Sequence, residues 1–180
     1  VTAYGRTVFM TGVTAVDVLA DGFGRVRESV EQVLDGLTEQ QLAHRVGGSA
    51  NSIAWLVWHL TRVQDDHVAE VAGTEQVWTA DGWAARFDLP LPTGDTGYGH
   101  RGEEVAAVVV PAGLLLDYHR AVHERTAAYL GGLSADDLGV VVDESWDPPV
   151  TLAVRLVSVI EDDLQHVGQA AFVRGVLARS

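Results

Sequence analysis

The sequence predicts an all-α protein built as a four-helix bundle. Four long stretches repeat apolar residues at steps of three and four, the signature of an amphipathic helix. Cap-forming residues mark their ends. The chain's 180 residues, 47% of them hydrophobic, suit one domain around one sizeable core. No internal repeat, low-complexity tract or domain boundary interrupts them, so residues 1–180 are read as one domain. Residues 1–14, which include Met10, are read as an extension or flexible start.

The first long helix is expected from about Val16 to Leu34, with Val16, Leu19, Phe23, Val26, Val30, Val33 and Leu34 inward. Gly22 and Gly24 weaken its start, and Gly36 is placed to end it. Leu37 to Leu42 follows as a Thr-capped single turn, and Val46 to Asn51 as a loop. The second long helix is expected from an N-cap at Asn51 or Ser52 to Ala72, closed by Gly73. Ile53, Leu56, Val57, Leu60, Val63, Val68 and Val71 form its stripe. His59 falls between Leu56 and Val63, beside Trp55, and so points inward or nearly so.

Residues 74–111 carry no good long helix. Trp78, Trp83, Phe87, three prolines and Pro92-Thr-Gly-Asp-Thr-Gly-Tyr-Gly-His100 read as a long ordered loop packed as a lid, with a helical turn within Glu103–Val110. The third long helix is expected over Ala112–Leu130, with Leu115, Tyr118, Val122, Thr126 and Tyr129 inward. Ser134 to Asp137 caps a short turn, and Trp146-Asp-Pro-Pro149 leads rigidly to Thr151, the N-cap of the fourth helix. That helix runs to about Ala178. At about 100° per residue, Leu152, Val159, His166, Ala170 and Val173 fall within roughly 40° of one line. Asp162 shares that line, and Asp163 lies just beside it.

Composition excludes several functions. The formal net charge is −13 and the pI about 4.7, which would repel nucleic acid and an anionic membrane surface. All twelve basic residues are arginine. Without cysteine there is no disulfide, no thiolate ligand and no thiol nucleophile in the chain. Any metal site must use His, Asp or Glu. No apolar run is long enough for a membrane span, and the start lacks a signal peptide, so a cytoplasmic protein is expected.

A carboxylate and an imidazole spaced i, i+4 on a buried helix face are costly without a partner. A metal is one such partner. His59 from the second helix, with Asp162 and His166 from the fourth, could converge as two imidazoles and one carboxylate with a coordination position left open. Zinc suits this set, and so do iron, nickel and manganese. The alternative is a satisfied core histidine and a surface aspartate. His119 and His123 form a rival i, i+4 pair, expected on a solvated flank of their helix. His100, between glycines on the lid, could close over a site. Arg155, on the face of Asp162 and His166, could bind an anionic substrate or pair with an acid such as Asp163. His44 and His67 have no partner that the sequence identifies.

Trp58-His59-Leu60-Thr61-Arg62 and Asp162-Asp-Leu-Gln-His166-Val-Gly-Gln169 resemble the DinB-like superfamily. Gly97-Tyr-Gly-His100 and Trp146-Asp-Pro-Pro-Val-Thr151 draw the chain closer to its actinobacterial branch of mycothiol transferases. That branch is related to the N-terminal domain of mycothiol-dependent maleylpyruvate isomerase. The lysine-free composition suits such a source.

The resemblance implies an up-down-down-up bundle, often a homodimer, with a metal at one end. The common ligand set of the superfamily is three histidines, and Asp162 departs from it. The isomerase group has Glu at that position and binds zinc, and Asp is one methylene shorter. The isomerase's separate C-terminal domain is not expected here, so its reaction is not carried over. The implied function is a divalent-metal-dependent thiol S-transferase with mycothiol as co-substrate and a small electrophile as acceptor. His59, Asp162 and His166 would be the ligands. His100 would act as acid or orient substrate, and Arg155 would hold a substrate anion. A non-catalytic metal-binding or stress-response bundle and a metal-dependent hydrolase are the alternatives.

Overall fold

The computed structural model describes residues 12–179, so Met10 and nearly all of the expected N-terminal extension lie outside the described residues. Four long helices form the bundle: α1 (Ala15–Leu34), α3 (Ile53–Ala72), α7 (Ala112–Gly131) and α8 (Leu152–Leu177). Each start follows from local chemistry. Thr14 Oγ1 accepts from Asp17 N (3.1 Å) while the Asp17 carboxylate accepts from Thr14 N (2.8 Å). Ser52 caps α3 and Thr151 caps α8 by accepting from Trp55 N and Val154 N. Gly73 ends α3 in the left-handed region, φ 64°.

Cross-helix contacts fix the directions. Thr61 meets His119, Gln64 donates to Thr126 and Tyr129 donates to the Val71 carbonyl, so α3 and α7 run parallel. His59 meets His166 while Arg155 reaches back to Glu70, so α8 runs antiparallel to α3. Arg174 donates to the Val33 carbonyl, and Gly22 lies against Ile160, so α1 and α8 are parallel. A β-carbon at Gly22 would sit 3.0 Å from Ile160 Cδ1, which explains a helix-weakening residue inside α1. The result is the expected up-down-down-up bundle.

The connection from α3 to α7 is more regular than a loop. It contains α4 (Val77–Ala80), α5 (Trp83–Phe87) and α6 (Gly102–Ala107). As expected of a packed lid, its Trp78, Trp83 and Phe87 side chains are buried, while Tyr98 is exposed. Trp78, Trp83 and Phe87 cluster on Tyr118 of α7 with ring centroids 5.1, 5.6 and 5.6 Å away. Burying rings of this size contributes about 1.5–3 kcal/mol each. The other short pieces are α2 (Glu39–Leu42), capped by Thr38 as expected, and 3₁₀ turns at Val46–Gly48 and Asp137–Gly139. A small antiparallel hairpin was not expected: β1 (Val141–Asp143) pairs with β2 (Val150–Thr151), with Trp146–Pro149 in its turn.

Buried polar groups tie the connection to α3. Arg62 and Asp65 are almost fully buried. Asp65 accepts from Val77 N and Trp78 N, both at 2.8 Å, and from the Tyr118 hydroxyl at 2.8 Å. Arg62 donates to the Asp95 carbonyl (3.1 Å) and to Tyr118 (3.3 Å), lies 3.5 Å from Asp65 Oδ2, and stacks over Trp78. Burial raises the Asp65 pKa, and these hydrogen bonds and the Arg62 charge oppose that rise.

Two placements correct the wheel reading. His119 is wholly buried rather than on a solvated flank, and its Nδ1–H donates to Thr61 Oγ1 (3.2 Å), whose own proton goes to the Val57 carbonyl. Asp163, not Asp162, faces the bundle centre; burial, with the Asp162 charge adding, holds its carboxyl well above the usual range.

Two outcomes follow from these groups. Burial, and then the charges of His123 and Arg27, push the His119 pKa down to about 3. The unfolded chain takes up that proton below about pH 6.5 and the folded chain does not, so folding stability falls as pH drops from there towards 3. Between about pH 7.5 and 5 the wild type is expected to lose roughly 2 kcal/mol more than His119→Gln, by urea unfolding at each pH. Equal losses would contradict a neutral His119. Asp65→Ala leaves the Arg62 charge buried without its partner, and is expected to cost about 3–5 kcal/mol by the same assay.

Candidate metal centre

Where α3 crosses α8, the sequence places an imidazole on one helix and an i, i+4 Asp-His pair on the other. The structure brings them together. His59, Asp162 and His166 each offer a ligand atom, and these atoms all lie within 4.8 Å of one another. The two imidazole rings meet edge to face at 4.6 Å. His59 is buried, while Asp162 and His166 are half-buried, so the centre sits at the wall of the bundle with one side reachable.

Both histidine tautomers follow from their neighbours. His59 Nδ1–H donates to the Thr96 carbonyl at 2.5 Å, and a carbonyl can only accept. His166 Nδ1–H donates to the Asp162 carbonyl at 2.8 Å. Each ring therefore keeps Nε2 unprotonated when neutral, and a carbonyl on the far nitrogen is the usual support of a ligating histidine. Asp162 Oδ2 is buried without a hydrogen-bond partner; it lies 3.3 Å from His166 Nδ1, off the line of that N–H bond. Two free imidazole nitrogens beside an unpartnered carboxylate oxygen fit a divalent cation of borderline softness.

Electrostatics divide the three. Burial lowers the His59 pKa, with the Thr96 carbonyl opposing. Burial also works against charge on His166, but the nearby Asp162 carboxylate and the hydrogen bond to the Asp162 carbonyl outweigh it, and the net shift is upward. At Asp162, burial is outweighed by His166, His59 and His67, and the carboxyl stays below the usual range.

The lid reaches this centre through backbone. Gly97 adopts φ 98°, and a β-carbon there would lie 2.6 Å from His59 Nδ1 and 3.2 Å from Trp55. Only glycine lets Thr96 and Gly97 lie so close over the His59 ring. Trp55 stacks on His59, with centroids 4.7 Å apart and planes at 16°. Neither Thr96 nor Trp55 is marked as part of the site by sequence alone; the glycines flanking Tyr98 are the available signal.

His100 lies beside this centre, stacked on Trp58. Trp55 Nε1–H donates to His100 Nδ1 (3.2 Å), and His100 Nε2–H donates to Asp95 (3.1 Å), so both nitrogens are engaged. Arg155 stands about two turns before Asp162 on α8. It pairs with Glu70 (3.0 Å) and Asp143 (3.1 Å), not with Asp163, and donates to His67 Nδ1 (2.7 Å). His67, without a partner in the sequence reading, thus has one. His119 and His123 form no ligand cluster with a third residue among the described residues.

A family model described as Mycothiol-S-transferase matches residues 18–178. A crystal structure of a conserved protein from Enterococcus faecalis matches with a TM-score of 0.86 at 32% identity, covering 94% of this chain and 100% of that one. No curated protein matches the chain. No helix among the described residues is long and apolar enough to cross a membrane.

Gly97→Ala must push the lid off His59 and break the Thr96 hydrogen bond. Losing such a support is expected to weaken metal affinity about 10–100-fold, by competition with a chromogenic chelator. Unchanged affinity would mean that the Thr96 carbonyl does not orient the ring.

Proposed function

The chain belongs to the mycothiol-S-transferase family, a DinB-like family, and on that premise we propose that it conjugates a low-molecular-weight thiol, mycothiol, to a small electrophile. The observation that carries this reading is the convergence of His59, Asp162 and His166, whose ligand atoms lie within 4.8 Å of one another while both Nδ1 hydrogens are taken by carbonyls. His59, Asp162 and His166 would hold a divalent metal, zinc before iron, nickel or manganese. When bound, such an ion lowers a thiol's pKa and offsets the charge of its sulfur.

The chain's own part in the reaction is positioning and charge. Thr96 and the Asp162 carbonyl keep both Nδ1 protons in place, so neither imidazole turns away. One carboxylate among three ligands leaves the site net positive, which favours a thiolate over a thiol. Asp162 replaces the histidine common in the superfamily, and its lowered pKa supports a ligand role. In the reaction a C–S bond forms at the electrophilic carbon and the leaving group departs with its bonding electron pair. The thiol proton passes to water.

His100 has both nitrogens committed, which supports a role in orienting substrate from the lid over a role as acid. Arg155 is already shared by Glu70 and Asp143, so a substrate anion would have to displace a carboxylate to reach it. Its assignment here is to the wall of the substrate cleft.

The test is conjugation of mycothiol to a chloro-dinitroarene, followed by absorbance of the thioether, with metal content measured on the same samples. His59→Ala and His166→Ala are each expected to lose the metal and bring conjugation down to the rate of the thiol alone. Asp162→Asn keeps shape but loses charge, and is expected to lower metal affinity by about tenfold or more. A protein that retains metal after both histidine substitutions would sink the ligand assignment. Wild-type conjugation no faster than thiol alone would sink the transferase reading.

A further inference from the structure

A cleft of about 490 Å³ opens between α3, α8 and the turn of the β1–β2 hairpin, and Asp162 is part of its lining. That volume lies within the usual range for small-molecule sites. Its walls mix Val63, Val150, Val154 and Val159 with Asp143, and Trp146 stands at its rim. The Trp146 side chain is 66% exposed, although an indole is among the most costly side chains to leave in water. We propose that this cleft is the electrophile subsite of the transferase proposed above, and that Trp146 stacks a planar, uncharged acceptor such as an electron-poor arene that carries a leaving group. The inference rests on that reading for the reaction, and on the cleft alone for the binding.

Three observations carry it. First, the turn that carries the indole is held in place. Asp143 accepts from Ser145 N (2.9 Å), Ser145 Oγ (2.6 Å) and Arg155 (3.1 Å). Pro148 and Pro149 stiffen the turn beyond it. A platform fixed before binding loses little entropy when a ring settles on it.

Second, Trp146 and Asp162, one of the three residues proposed to hold the metal, line the same cleft, so an acceptor on Trp146 shares it with the proposed centre. Third, the charges select against anions. Asp143, Glu161 and Asp162 line the cleft, and the cation of Arg155 is already paired with two carboxylates. An anionic acceptor would meet the carboxylates of Asp143 and Glu161 and an arginine already paired, while an uncharged planar one meets indole and valine.

The experiment uses 1,3-dinitrobenzene as an unreactive planar probe and 3,5-dinitrobenzoate as its anionic counterpart. Indole N–H signals are followed by ¹⁵N-resolved NMR on the whole protein. One indole signal, missing in Trp146→Ala, is expected to shift with dinitrobenzene. Trp146→Ala is expected to weaken that binding about three- to tenfold, the range of an aromatic stack, and Trp146→Phe to restore most of it. The benzoate is expected to bind at least about tenfold more weakly than the neutral probe. Metal content should not change in Trp146→Ala, while the KM for the chloro-dinitroarene rises by the same factor with kcat kept. Equal binding by wild type and Trp146→Ala, or equal binding of the two probes, would overturn the subsite. A shifted Trp146 signal in a protein without conjugation would uphold the subsite for binding and remove the transferase reading instead.

Discussion

Arg62 and Asp65 put opposite charges into a helix that is buried on nearly every side. Neither charge could stay there alone, since an unpaired ion in such a place costs several kcal/mol. They are kept by what wraps over them: Val77 N, Trp78 N, the Asp95 carbonyl, the Tyr118 hydroxyl and the face of Trp78. The long connection between α3 and α7 supplies all but one of these. Buried charge therefore fixes the lid to α3, and a fixed lid can place Thr96 over His59.

The candidate centre inherits its order from that arrangement. His59 is stacked on Trp55 and held at Nδ1 by the Thr96 carbonyl, and His166 is tied to its own helix through the Asp162 carbonyl. One ligand set thus draws on a tertiary clamp on α3 and a local one on α8. Asp162 also lines a cleft shared with the β1–β2 turn, which Asp143 and Arg155 hold. Lid and hairpin approach the centre from different directions, which separates what orients the ligands from what meets a substrate.

Much of this was legible in the chain. Apolar steps of three and four, with Ser52, Gly73 and Thr151 at the ends, mark the long helices to within a residue or two of where they lie. An i, i+4 pair needs only helix geometry, so Asp162 and His166 were visible as neighbours, and His59 as an inward residue opposite. The cluster of three is where those expectations meet.

What the sequence could not decide is which of two adjacent side chains faces the core, and which distant groups meet. Successive residues on a helix are separated by about 100°, so a small error in the stripe's centre exchanges Asp162 with Asp163, or moves His119 from flank to centre. The packing of neighbouring helices sets that centre. Arg155 found Glu70 and Asp143 rather than Asp163, because partners 85 and 12 residues away come close only after the bundle and hairpin form. Thr96, Trp55 and Trp146 are the same case. Local periodicity determined the helices and offered the ligands; tertiary packing decided which nitrogens are free, what clamps them, and what a substrate would meet first.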